Sequence, residues 1–225
     1  MLIIIDKKLP TEAKEKLNNY GEVYELETSN IVYDAISGHP DIFIFQNNKK
    51  LIIAPQTPIS LINKLTECRI AFEYGNKDLG AKYPLTTAYN IATYNNIFIG
   101  NNKYCDTNIL EFSKDKKWIQ TKQSYARCNS IIIDNESIIT NDHGLENHFK
   151  KALIIKTKDI ILQGFEYGFI GGCAGIYRDK IFFTGSLNNH SQSKKIRMFC
   201  EEKGFTIIEL SEGKLIDSGG IFFVE

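Results

Sequence analysis

Gly219-Gly220-Ile221-Phe222-Phe223-Val224 ends the chain on one apolar strand, and Leu2-Ile3-Ile4-Ile5 begins it on another. Read together, they complete a pattern that occurs four more times between them. Each copy has a short apolar strand, a tight polar turn, a second apolar strand, a helix-like stretch and a third apolar strand. The internal copies open with Asp41–Phe45 and Leu51–Ala54, Ile91–Tyr94 and Ile97–Ile99, Asn129–Ile133 and Ser137–Thr140, and Gly175–Tyr177 and Ile181–Thr184. The parts missing from the last copy stand at the N-terminus, as strand Leu2–Ile5, helix Thr11–Asn19 and strand Glu22–Glu27. Unit starts near Asp41, Asn90, Cys128, Gly172 and Gly219 are 49, 38, 44 and 47 residues apart, with 47 more through the termini. Equal steps that return to their start predict one α/β domain, residues 1–225, built as a five-bladed ring of ββαβ modules. The modules cover 219–225 with 1–27, then 41–74, 90–120, 128–156 and 172–210. Pairing the two ends would leave no free sheet edge between first and last blades. An ordinary layered α/β or α+β domain with regular strands is the alternative.

The strand residues are mostly β-branched or aromatic, as in Ile131-Ile132-Ile133 and Ile181-Phe182-Phe183, which favours strand over helix in short runs. Turn residues separate each pair: Gln46-Asn47-Asn48-Lys49, Asn95-Asn96, Asp134-Asn135-Glu136 and Arg178-Asp179. Helix starts are marked by Thr57-Pro58 before Ile59–Leu65, Asp106 before Thr107–Phe112, Asp142 before His143–Phe149, and Asn189 or Ser191 before Lys194–Lys203. Gly204 supplies the stop after the last of these.

Composition excludes several classes. The chain has 27 basic and 27 acidic residues, so no net field draws it to nucleic acid or to a membrane. No apolar run approaches the roughly 20 residues a bilayer demands. Met1-Leu2-Ile3-Ile4-Ile5-Asp6 lacks the basic leader and length of a signal peptide. Five irregularly spaced cysteines without a CxxC argue against a disulfide framework or a zinc site and for a cytoplasmic setting. His143 and His148 are five apart, on different faces of a helix, so no metal is expected there. The glycines of Tyr167–Gly175 lead into a strand and lack the Lys-Ser/Thr ending of a phosphate loop. No cofactor is called for.

A ring of five ββαβ modules resembles the pentein fold of guanidino-group-modifying enzymes: arginine and agmatine deiminases, dimethylarginine hydrolases and amidinotransferases. A non-catalytic ribosomal anti-association factor shares it. Gly38-His39-Pro40-Asp41-Ile42, Lys82-Tyr83-Pro84, Gln123-Ser124-Tyr125-Ala126-Arg127-Cys128, Tyr167–Gly172, Phe183–Leu187 and Leu215–Gly219 also resemble an uncharacterised pentein-like family of clostridia-type bacteria.

The resemblance implies a thiolate nucleophile, an acid/base for the departing amine, and carboxylates around a planar guanidinium. In the enzymes the nucleophile stands in Gly-rich sequence near the C-terminus, whereas Ser218–Val224 here has no cysteine. The same pattern occurs rotated around the ring. His39-Pro40-Asp41 opens one unit, and Cys128, 89 residues on, opens the unit two steps later. Cys128 is then the expected nucleophile and His39 the acid/base, with Asp41 and Asp217 clamping a small cationic guanidine or amidine. Lys122, Tyr125, Asn90 and Gly172 complete the expected binding set. A bound cation with Arg127 or Lys122 would lower the thiol pKa. Cys173, after Gly171-Gly172, is the second candidate nucleophile, and His190 either caps a helix or leans toward the ring mouth. Read structurally instead, Cys128 is a packed thiol, His39 and Asp41 belong to a loop, and Asp217 belongs to a turn. The alternative function is a catalytically inactive binding module for a small ligand or a protein or ribosomal partner. Oligomeric state is not written in the sequence.

Overall fold

The computed structural model describes residues 1–225. Its C-terminal strand Phe222–Val224 pairs antiparallel with the N-terminal strand Leu2–Asp6, with Leu2 opposite Val224, Ile3 opposite Phe223 and Ile4 opposite Phe222. Leu2–Asp6 also pairs in parallel with Glu22–Leu26, across the helix Thr11–Asn18. The head and tail of the chain therefore share one three-stranded sheet.

The same plan recurs in the four internal units. The second unit is Ile44–Gln46, Leu51–Ile53, helix Ile59–Glu67 and Glu73–Tyr74. The third is Ala92–Tyr94, Ile97–Gly100, helix Thr107–Phe112 and Lys117–Gln120. The fourth is Ser130–Asp134, Ser137–Thr140, 3-10 helix His143–His148 and Lys151–Ile154. The fifth is Ala174–Tyr177, Lys180–Phe183, helix Ser193–Glu202 and Thr206–Glu209. Each middle strand runs antiparallel to the first and parallel to the third. These are five separate three-stranded sheets, with a two-stranded ladder of Ile160–Ile161 and Leu215–Ile216 beside them.

Local chemistry explains the repetition. Middle strands such as Leu2–Ile5 and Leu51–Ile53 are buried along their length, so continuous apolar runs suit them better than alternation. The two-residue hairpins turn at Asn95-Asn96 and Arg178-Asp179, where Asn95 and Arg178 take φ of 51° and 55°. Asp106 and Asp142 cap their helices by accepting from the backbone N–H of Asn108 and Gly144. The helix Ser193–Glu202 ends with Gly204 N–H on Glu201 O and Phe205 N–H on Cys200 O, closing off its last carbonyls. No helix is long and apolar enough to cross a membrane.

The opening strands differ from the sequence expectation in one systematic way. Asp41–Phe45 and Asn129–Ile133 were expected as strand from their first residue. Instead Pro40–Phe43 and Ala126–Asn129 are single helical turns, and the strands begin at Ile44 and Ser130. Gly171–Cys173 is likewise a 3-10 turn before Ala174. Pro40 explains the first case, because its fixed φ suits the start of a helical turn and it has no N–H to give a ladder. In the other turns Asn129 N–H bonds Tyr125 O, and Cys173 N–H bonds Ile170 O. These lead-in turns, not the strands, carry the residues that matter below.

Candidate functional site

The five lead-in segments touch one another in chain order. Asn90 Nδ2 donates to Asp41 O, and Asn90 Oδ1 accepts from the N–H of Arg127 at 2.8 Å and of Cys128 at 3.3 Å. The Arg127 guanidinium donates to Gly171 O and Ala174 O. Gly172 O in turn accepts from Ser218 N–H and Gly220 N–H. Gly219 then packs directly on His39 and Asp41: a Cβ there would lie 2.4 Å from His39 Cβ and 2.8 Å from Asp41 Oδ1, and its φ is +71°. Only glycine fits both requirements. The circuit thus passes from the second unit through all the others and back.

Inside it lies a buried polar cluster. The Cys128 thiol donates to Asp41 Oδ2 at 2.7 Å, and Asn90 Nδ2 lies 3.3 Å from the sulfur. Asp217 accepts from Phe169 N–H at 2.9 Å and Gly219 N–H at 3.2 Å. It comes so close to Gly172 that a Cβ on that residue would sit 1.8 Å from its Oδ1. His39 stands between carboxylates, Nδ1 4.0 Å from Asp217 Oδ1 and Nε2 3.8 Å from Asp6 Oδ2. His39, Asp41, Cys128 and Asp217 are each no more than 4 % exposed. His39 Nδ1, Asp41 Oδ1 and Ser218 Oγ have no hydrogen-bond partner. Orphaned buried polar atoms are costly, and three in one cluster are an invitation to a ligand with several N–H donors.

Burial sets the protonation of the cluster. It pushes Asp41 up to about 6, against the Cys128 hydrogen bond and the Arg127 charge. Asp217 rises to about 7, through burial and then the Asp41 charge, against the N–H groups of Phe169 and Gly219. Desolvation, then the Lys8 charge, holds His39 down at about 3. Two carboxylates near that ring would suggest an ion pair, but contacts of 3.8 and 4.0 Å are too long for hydrogen bonds, so the neutral imidazole is favoured. Burial, Asp41 and Asp217 drive the Cys128 thiol well above its usual range. The thiol is therefore neutral, and its expected lowering by Arg127 or Lys122 requires the bound cation as well. Arg127 acts on the carboxylates, and Lys122 is an exposed side chain.

The other expected residues divide clearly. Asn90 and Gly172 sit in the cluster as described. Tyr125 OH bonds Tyr33 OH at 2.9 Å and Thr86 Oγ1 at 2.6 Å, and Tyr83 lies against its ring at 5.5 Å between centroids. Tyr33 is raised by burial and also by electrostatic interaction with Cys128, Asp217 and Asp41, which places this hydroxyl pair beside the cluster. Cys173 is fully buried, donates to Phe169 O at 3.2 Å and is pushed well above its usual range by burial and by Asp217. His190 caps locally, its Nδ1 accepting from Gln192 N–H. Asp6 and Tyr33 escaped the sequence reading. Asp6 follows the apolar run Leu2–Ile5 directly, and a buried acid closing a core strand is the signal that marks it.

The model of a family of unknown function (DUF6873) matches residues 4–222. The chain belongs to DUF6873. No curated protein matches it. Solved structures do resemble this DUF6873 member in fold. An agmatine deiminase of C. jejuni aligns at a TM-score of 0.54 and 10 % identity, covering 88 % of this chain and 73 % of the other. A serine-for-cysteine variant of DDAH from Pseudomonas aeruginosa, complexed with citrulline, aligns at 0.54 and 9 % identity over 93 % and 91 % of the two chains. An amidinotransferase from Microseira wollei, of a saxitoxin biosynthetic pathway, gives 0.51 and 8 % identity over 96 % and 88 %. At such identities the likeness establishes the fold alone: a mixed α/β fold shared with pentein enzymes.

Proposed function

We propose that this DUF6873 protein is a guanidino- or amidino-group-modifying enzyme with Cys128 as its nucleophile, its five sheets set around one axis as blades. The observation that carries the reading is the Cys128 thiol 2.7 Å from Asp41 Oδ2, in a buried cluster that also holds Asp217, His39 and unpartnered acceptor atoms. The one guanidinium nearby, Arg127, is turned to backbone carbonyls. The cluster is therefore acidic and short of hydrogen-bond donors, and a planar cation with several N–H groups supplies both needs.

Binding such a cation favours the ionised forms of Asp41 and Asp217 and stabilises a thiolate. The thiol proton leaves along the hydrogen bond to Asp41. Sulfur attacks the guanidinium carbon, and the carbon–nitrogen bond to the leaving amine breaks. Asp41 hands the proton it took from the thiol to His39, and His39 delivers it to that amine. The products are a thiouronium on Cys128 and a neutral amine. Attack by water regenerates the thiol and releases a urea and a proton, while attack by an acceptor amine completes a transfer instead.

A second reading has its own support. The sulfur is only 4 % exposed, and its pKa is driven upward, as befits a ligand-binding module that does no chemistry. Labelling separates the two. A haloacetamidine should alkylate Cys128 in the native protein faster than the other four cysteines, read by peptide mass spectrometry, and Cys128→Ser should abolish the label. Guanidine binding by calorimetry without native labelling of Cys128 would leave the binding module standing and the enzyme refuted.

A further inference from the structure

The first strands of the five units run from the lead-in turns to the hairpin turns. With a rise of about 3.3 Å per residue, the hairpin ends lie a strand's length from the Cys128 cluster. A cavity of about 350 Å³ runs along these strands, from Arg127, Ser130 and Ala174 at their lead-in ends to Asn47, Asn95 and Arg178 at the hairpin turns, and its size is within the range of small-molecule pockets. Its lining includes residues from all five units: Asn47, Asn95, Ser130, Arg178 and Phe223 among them. The lining contains two arginines, Arg127 and Arg178, and no acidic residue. Neither guanidinium has a carboxylate within salt-bridge distance, although twelve such contacts of lysine or arginine occur elsewhere. In a chain of zero net charge, a concave site lined by two cations without a direct carboxylate partner is a local departure.

We propose that this cavity is a second ligand site, for a small organic carboxylate bound through Arg127 and Arg178. Arg127 is half-buried, lies over the Phe222 ring at 5.3 Å, and commits two donors to Gly171 O and Ala174 O. A guanidinium carries five N–H donors, so a fork remains for an anion. Arg178, exposed on its hairpin turn and stacked on Tyr177 at 4.9 Å, stands at the mouth. Ile131, Ile133, Ile176, Ile221 and Phe223 supply apolar wall. That wall selects an anion with a hydrocarbon body over a bare inorganic ion, because burial of the body adds to the charge contact. The site shares Arg127 with the surroundings of the Cys128 cluster, but its test does not depend on the chemistry proposed there.

The test is a titration of isotopically labelled protein in low-chloride buffer, followed by NMR, with benzoate as probe, benzamide as its neutral counterpart and inorganic phosphate as the bare anion. Saturable shifts are expected at Ile131, Ala174 and Ile221 with benzoate at a Kd of about 1 mM or below, and none with benzamide. Arg178→Glu should weaken benzoate at least tenfold, and Asn95→Asp, which puts a negative charge on the rim, should weaken it in the same direction. The wild-type spectrum elsewhere shows that each variant is folded. Absent or non-saturable shifts, equal binding of benzamide, or an unchanged Kd in both variants would overturn the site. Phosphate binding without benzoate would overturn the organic carboxylate.

Discussion

Replacing Asp217 by Asn should flatten the pH dependence of stability, and the reason is proton counting. Near pH 5 the folded trio of His39, Asp41 and Asp217 holds close to two protons, since the carboxyls titrate at about 6 and about 7 and the ring at about 3. Moving one proton from Asp217 to the imidazole leaves the count unchanged. The unfolded chain holds about one there, on a histidine with pKa near 6.5, because free aspartates near pKa 4 are ionised. The folded state therefore binds one proton more, and stability falls as pH rises, by about 1.4 kcal/mol per unit. The sign follows from a carboxyl pKa raised by folding: the contribution is complete below about pH 4 and is lost as pH climbs through 6 and 7. With Asn at 217 the trio holds one proton against one, and the slope vanishes. From pH 5 to 7.5 the variant should gain about 3 kcal/mol on the wild type. Asn keeps one acceptor oxygen where Asp217 serves both Phe169 N–H and Gly219 N–H, and the lost second acceptor lowers the variant at every pH, so the slope is the readout. Reversible urea unfolding at pH 5, 6, 7 and 7.5 measures it, and surface ion pairs cancel in the difference. Parallel stability curves for the two proteins would refute the buried, protonated cluster.

Two further changes probe the frame around it. Gly172→Ala drives a Cβ to 1.8 Å from Asp217 Oδ1, so it should cost about 3 kcal/mol or more in urea unfolding and should also remove guanidine binding. A cost under about 1 kcal/mol would mean that Asp217 moves aside freely. Phe223→Ala empties a place where the ring packs on Phe182 at 4.8 Å and Tyr177 at 5.4 Å and anchors the strand opposite Ile3. Thermal unfolding should show a loss of about 3–5 kcal/mol, whereas a neutral result would show that the terminal strand contributes little.

The sequence made the repeat legible because it rests on short-range signals. Apolar runs, paired asparagines at the hairpins and Asp106 or Asp142 before helices act within a few residues, and each appears where it was read. The join of Leu2–Asp6 to Phe222–Val224 was also legible, since two unmatched strands of one repeat need each other. What was not legible is the helical turn that opens three of the units. Ile42-Phe43-Ile44-Phe45 has strand composition throughout, and only Pro40 hints that its first half winds into a turn. His39, Asp41, Cys128 and Asp217 could be grouped because similar positions in similar units converge. Their electrostatics could not be read: the thiol is raised because burial and the Asp41 and Asp217 carboxylates come from segments far apart in the sequence.

The turns also bear on where the groups proposed to react stand. The terminal unit gives up side chains at Gly219 and Gly220, and the first of these vacancies is filled by His39 and Asp41 from the next unit. A cysteine at Gly219 would need a Cβ 2.4 Å from His39 Cβ and a φ of +71°, so this segment cannot carry the nucleophile without expelling the histidine. The fourth unit has no such conflict. Its turn Ala126–Asn129 is held by Asn90 Oδ1 through two N–H groups, which fixes Cys128 against Asp41 with backbone precision. In a fold whose lead-in turns meet in sequence, a nucleophile can be supplied from any unit whose turn has room for a side chain. Here the fourth has it, at Cys128, and the fifth has it at Cys173. Activity in a Cys128→Ser protein would therefore contradict the assignment to the fourth unit and leave the Cys173 thiol as the group to test.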